Sequence, residues 1–352
     1  MNFQTYRYLL MTLDPTHIGA GGYRLGRADL TIARELGTNL PKIPGTSMSG
    51  AVRSHAAYAW GQPRCAGQGQ PTNGRANSGH CAQPECPICY TFGHTSGDTS
   101  YAGAVNLCDA HIVLFPVHSM DGPVWVGTKR RLEEMGFSVS GPAPARETIV
   151  TTWERSGPLN LGWMLLPMQP PIATVAPPQG SSWESKPEWT AVQNRTVLVD
   201  EFLFSHIVNS NLEVRTSVSL DPATGAAEDG ALFTYEAIPR ATFFAWDMVV
   251  DDYRNGFPHH LNLQSLDRFR RLRENPQTIQ ALQSKLAPLG WDQPDGMSAV
   301  REVITTGLRM AEALGVGGMG TRGFGRVRAI GDPWSVPLHV SAGVTVEGAA
   351  NG

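Results

Sequence analysis

The chain has 352 residues, 41% of them apolar, and a formal net charge of −3, so it can bury a large core as one elaborated domain or two. That charge excludes a protein holding nucleic acid by overall positive excess, and any grip on a polyanion must come from local groups. The sequence has no apolar run of roughly eighteen residues, the length of a membrane span, and "MNFQTYRYLLMTLDP" lacks a secretory pattern, so a cytoplasmic protein is expected.

In chain order, "YRYLLMTL" alternates enough to predict a first strand. Pro15 and the glycines of "HIGAGGYRLG" predict a flexible loop that carries His17 and delivers "ADLTIARE" with Asp29. After Pro41, "KIPGTSMSGAVRSHAAYAW" predicts a helix capped by Thr46 or Ser47, with Met48, Ala51, Val52, His55, Ala56 and Ala59 down one side. Amides after Gly45, with the Ser47 hydroxyl, offer neutral donors to an anion. The plainer reading is that Gly45 and Gly50 only pack the helix tightly and that Thr46-Ser47 is an ordinary cap.

From residue 61 to 79 the sequence turns to Gly, Gln, Pro and Asn, which cannot bury a core and reads as an insertion. Cys81, Cys86 and Cys89 follow, and the "CPIC" pair can clamp one tetrahedral ion with its thiolates, zinc being the expected metal. Cys65 is the first choice for the fourth ligand and His80 the second; a redox pair is the rival chemistry. "AVNLCDAHIVLFPV" predicts a strand stopped by Pro116, with Cys108 an inert buried thiol. The prolines between residues 138 and 189 predict an irregular insertion rather than a core layer.

"TVLVDEFLFSHIV" predicts a strand and a short helix, and "LEVRTSVSL" and "GALFTYEAIP" the arms of a long hairpin around "DPATGAAEDG". "ATFFAWDMVV" is a further strand, and "DRFRRLRE" a basic helix whose plainest reading is a solvated face. Val300, Val303, Ile304, Leu308, Ala311 and Leu314 mark one face of a helix that runs into Gly315. The glycines of "GVGGMGTRGFGRVRAI" match a dinucleotide fingerprint in letters but follow a helix and precede a strand, so a helix C-terminus faces the loop. The segment reads as a loop with arginines, and a nicotinamide-dependent oxidoreductase is the distant alternative. Interleaved strands and helices predict an α+β fold, most simply a ferredoxin-like (RRM-like) sheet with helices on one face.

Together and in order, "THIGAGG", "ADLTIARE", "IPGTSMSGAVR", "CPICYTFG", "AVNLCDAHIVLFPV", "SLDPATGAAEDGALFTYEAIP" and "GGMGTRGFGRV" resemble the RAMP backbone subunits of type III CRISPR effector complexes, most closely those of the Cmr (III-B) module. The resemblance implies a palm in residues 1–60, 93–137 and 241–352 and a β-hairpin thumb region in 196–240. Composition and cysteine spacing set apart a Gly/Gln- and Cys-rich, zinc-binding insertion in 61–92 and a proline-rich insertion in 138–195, the latter outside the resemblance. The resemblance also implies a subunit that stacks with copies of itself into a filament on a CRISPR guide RNA, joins other subunits of the complex and cleaves target RNA at regular intervals. Asp29 matches the aspartate associated with that cleavage, as a base or as a ligand of a divalent cation such as magnesium. The alternative is a catalytically silent guide-holding subunit. RNA contacts are expected from His17, Gly45, Thr46, Ser47, Ser49, Arg53, Leu232, Phe233, Tyr235, Gly318, Arg322 and Arg326. Where the family's helix start commonly carries lysine, this chain has Ser49, which shifts the expected basic contact to Arg53.

Overall fold

The computed structural model describes residues 3–21, 28–67, 80–83, 86–96, 99–219, 221–227, 232–251 and 296–336. The basic stretch around Arg270 lies outside them. Among the described residues, no helix is long and apolar enough to cross a membrane.

The elements are interleaved strands and helices, as the alternating sequence patterns require. Strand β1 (Phe3–Thr12) leads through the loop to helix α1 (Gly45–Ala59). A short helix, α2 (Pro87–Phe92), precedes the long strand β2 (Val105–Ser119), which turns into β3 (Gly122–Gly127). Next come β4 (Thr196–Leu198), helix α3 (Glu201–Ser210), and the hairpin of β5 (Glu213–Ser217) and β6 (Phe233–Ala237). Strand β7 (Phe243–Asp251), helix α4 (Gly296–Leu314) and β8 (Val327–Ala329) complete the order. The main sheet runs β8-β1-β7-β2-β3-β4, ending on the short strand Val150–Thr151. All of these pairs are antiparallel except β3 with β4.

Strand alternation sends the two faces of the sheet to two cores. Tyr8 and Leu10 of β1 pack with Met48, Val52 and Ala56 of α1 and with Val300, Val303, Ile304 and Leu308 of α4. Leu9 points the other way, joining Val113, Leu114 and Phe243. The proline-rich segment covers that second face: Trp183 and Trp189 are fully buried there beside Phe137 and Val175. It is irregular, as expected, but it is also a core layer, because large aromatics between the prolines supply the apolar area that the sheet needs.

Other expectations are corrected. Pro116 lies inside β2, opposite Trp125, beyond the last residue paired with β7, where the strand has one neighbour and a missing N–H is tolerated. Leu314 is 57% exposed at the end of α4, past the last turn that packs on the sheet. Cys108 is exposed. Its strand bulges there: Trp246 faces Ala110 and Met248 faces Leu107, so Asp247 stands opposite both Cys108 and Asp109. The extra residue changes which face the side chains take.

Candidate nucleic-acid interface

The "ADLTIARE" segment adds itself to the hairpin. Leu30 bridges Tyr235 in parallel, its N–H donating to the Thr234 carbonyl and its carbonyl accepting from Glu236 N–H, each at 3.0 Å. This pairing delivers Asp29 to the root of the hairpin. Its Oδ2 accepts from the Thr234 N–H at 2.7 Å and from the Thr234 hydroxyl at 2.9 Å. These bonds, the backbone one first, hold the exposed Asp29 carboxyl below its ordinary range, so it is ionised at neutral pH. A largely buried ion pair, Arg34 to Glu236 at 3.0 Å, fixes the same segment one step further on.

Three stretches distant in sequence meet at this root. Tyr235, Ala237 and Phe324 form a small core with Leu30, Phe233 and Met319 against it. The Arg322 guanidinium lies 5.3 Å from the Phe233 ring centre and that of Arg215 lies 4.9 Å from Phe324. Leu232 is 66% exposed, whereas Tyr235 is buried. Of the three side chains expected on the hairpin, Leu232 and Phe233 therefore reach solvent in full or in part, and Tyr235 does not, because it faces Phe324 at 5.5 Å.

The glycine-rich loop follows α4 and precedes β8, the order opposite to a dinucleotide cradle. It packs on the first loop, with Gly318 N–H donating to the His17 carbonyl at 3.0 Å. Gly317 has φ +91°, and an added Cβ would lie 2.6 Å from that carbonyl, so only glycine fits the close approach. His17 is corrected from an RNA contact to a buried strut: its Nδ1 donates to the Glu236 carbonyl at 2.6 Å. Arg322 is exposed, but Arg326 spends its planar fork on Asp14, which leaves it charge-compensated.

The start of α1 differs from expectation in a similar way. Pro44, not Thr46 or Ser47, is the residue before the helix, and no side chain within the segment caps it. The cap comes from across the sheet, where Asp109 at the bulge accepts from Gly45 N–H at 2.7 Å and also holds Lys42. Lys42 and Gly45 together keep the Asp109 carboxyl below its ordinary range despite its partial burial. A carboxylate thus already occupies the Gly45 N–H at the start of the helix. Gly45 is present because a Cβ would sit 2.3 Å from the Leu107 carbonyl. Thr46 is exposed, and Ser47 and Ser49 are half-exposed, on the first turns. Arg53 is only 8% exposed. Its Nε donates to the Cys65 carbonyl at 2.7 Å and its Nη1 to the Gly93 carbonyl at 2.9 Å, so it cannot serve as an RNA contact.

Cys65, Cys81, Cys86 and Cys89 converge, all four sulfurs lying within 4.8 Å of one another. The recorded separations are 3.6 Å for Cys81 to Cys89, 3.8 Å for Cys86 to Cys65 and 3.6 Å for Cys89 to Cys65. A tetrahedron with metal–sulfur bonds of about 2.3 Å has edges of about 3.8 Å, so the donors fit one metal ion. Disulfide bonding, at about 2.05 Å, is excluded. Cys65 is the fourth member; His80 instead accepts from Thr95 N–H, and burial holds its pKa down at about 4.

Thr234, Asp109 and Glu236 were not singled out from the sequence. A polar residue inside an apolar strand was the available signal for Asp109. For Thr234, alternation between Phe233 and Tyr235 assigns it to the opposite face of the hairpin, the one Asp29 meets.

A model of the RAMP superfamily matches residues 9–328. The CRISPR system Cmr endoribonuclease Cmr4 of Pyrococcus furiosus is 25% identical over 264 residues, covering 68% of this chain and 80% of that protein. The cryo-electron microscopy structure of a type III-B Cmr-beta in the apo state shares the fold with a TM-score of 0.53 and 13% identity, over 95% of this chain and 97% of that one. The crystal structure of oligomeric Cmr4 from Pyrococcus furiosus does so with a TM-score of 0.53 and 17% identity, over 96% of this chain and all 100% of that one.

Proposed function

The chain belongs to the RAMP superfamily, and from that premise we propose that it is a guide-RNA-binding backbone subunit of a type III-B (Cmr) CRISPR complex that cuts complementary target RNA. The Pyrococcus relative is named as a Cmr endoribonuclease, which supports the reaction class. The observation that carries the reading is the placement of an ionised, exposed Asp29 at the root of the hairpin, held there by Thr234.

The cleavage chemistry suits such a site. A hairpin that pries apart a base step bends the backbone, so that a 2′-hydroxyl can attack its own phosphate in line; the 2′-oxygen bonds to phosphorus and the 5′-oxygen leaves. Positioning of this kind lowers a barrier by several kcal/mol, on the order of those measured for oriented intramolecular reactions. Leu232 and Phe233 offset the unstacking, which costs about a few kcal/mol per step. Asp29 is either base or ligand to a divalent cation such as magnesium, and a carboxyl held below its ordinary range is the weaker base, which favours the ligand role. When bound, such a cation supplies charge stabilisation at the phosphate.

Arg322, Thr46, Ser47, Ser49 and the Gly318 turn are the groups we assign to phosphate and sugar contacts, few per copy, with copies stacked along the guide in a non-closing, head-to-tail array. The path β1-α1-β2-β7-α4-β8, with strands ordered β8-β1-β7-β2, supports reading the centre as a ferredoxin-like palm carrying the hairpin as its thumb. The four cysteines are read as a closed structural zinc site, and the complex as cytoplasmic. The deciding experiment is Asp29→Ala in the assembled complex: loss of target cutting with guide and target binding retained is expected, and unchanged cutting would leave only the silent guide-holding role.

A further inference from the structure

We propose that Arg53 is the built-in counter-cation of the four-cysteine centre and sets how tightly that centre holds its metal. The inference rests on the zinc reading above.

Four thiolates around a divalent ion leave a charge of minus two, and much of this one is buried: Cys65, Cys86 and Cys89 are essentially fully covered. Burying charge of that size without compensation is costly. Arg53 on α1 is the compensation. Its guanidinium bridges the two arms of the clip, donating to the carbonyl of Cys65 on one arm and to that of Gly93, just past the helix that carries Cys89, on the other. Phe92 lies 5.8 Å from it and screens it from water. Nη2 is buried and has no hydrogen-bond partner, an unusual state for a cationic donor. Burial pushes the pKa of this guanidinium down, and the four cysteines, Cys89 foremost, act against that shift. A buried cation in need of an anion and a buried dianion in need of a cation thus stand side by side. The same contacts anchor the clip to α1, the helix whose first turn carries Thr46 and Ser47.

The test uses the full-length protein, loaded with zinc, and reads zinc affinity by chelator competition. Arg53→Gln keeps an amide donor but loses the charge; Arg53→Lys keeps the charge but loses the fork. Outer-shell partners of metal ligands change affinity by about 10–100-fold when removed, and a weakening of that size is expected for Arg53→Gln, with Arg53→Lys nearer to wild type. Cys81→His replaces one thiolate with a neutral ligand, so Arg53→Gln is expected to cost less in that background. Wild-type affinity in Arg53→Gln, or equal weakening in both Arg53 variants, would overturn the proposal. If Arg53→Gln does not fold, Arg53→Lys decides: near-wild-type affinity supports it, and a loss of about 10-fold or more overturns it. Zinc-free wild-type protein that takes up no zinc would instead refute the zinc reading itself.

Discussion

Thr234 gives Asp29 two hydrogen bonds on one oxygen, and this single residue links the aspartate to the hairpin. Because those bonds favour the ionised form, the Asp29 pKa is depressed and any activity that needs the carboxylate persists further into acid than an ordinary aspartate allows. Thr234→Val removes the hydroxyl bond and keeps the backbone one. The acid limb of the cleavage rate is then expected to move to higher pH, while Thr234→Ser leaves it in place; pH–rate profiles of the two variants measure this. A shared profile in both would mean that the hydroxyl does not tune the carboxylate. Residues differ in how legible they were. Asp29 could be named because its segment has a recognisable order of neighbours. Arg53 could be named as basic, but its role depends on carbonyls 12 and 40 residues away in sequence, which no local pattern reports.

At the level of elements, the periodicities of α1 and α4 and the alternation of β1 and β7 specified which faces are buried, except at Leu314, where the α4 pattern runs past its last packed turn. What misled were elements whose environment is supplied from elsewhere: a helix start capped by a distant strand, and a proline inside a strand that has lost one neighbour. Gly45→Ala is expected to push α1 off β2, since the new methyl would meet a backbone carbonyl, at a cost of roughly 1–3 kcal/mol in chemical denaturation. Asp109→Ala removes the external cap at a cost of about 0.5–2 kcal/mol, and a change confined to noise would show that Gly45 N–H is satisfied otherwise. For the cysteine clip, the zinc reading proposed above leads to the expectation that a strong chelator lowers the thermal midpoint and raises the reactivity of Cys65, Cys86 and Cys89 toward thiol reagents, because the metal would hold together a segment too polar to fold by burial.

At the scale of the molecule, many carboxylates among the described residues are engaged in ion pairs. The carboxyls of Asp14, Asp29, Glu35, Asp109 and Asp121 are all held below their ordinary values, whereas burial raises Glu302. A depressed carboxyl contributes stability that is fully present above its unfolded pKa and is lost as pH falls toward its folded value. Stability is therefore expected to be lost from about pH 4 downward, as urea midpoints measured across that range would register; a flat response would mean that these pairs are worth little in water. The overall class was readable because strand and helix signals alternate along the whole chain. The second core was not, since its tryptophans are scattered among prolines that carry no period.

Strand β1 finds one neighbour at residues 243–251 and the other at 327–329. During synthesis the amino-terminal strand therefore emerges long before either partner leaves the ribosome, and its two edges stay open through most of translation. Such late closure favours slow folding, and it makes a chain cut short before residue 327 a candidate for chaperone capture instead of partial activity.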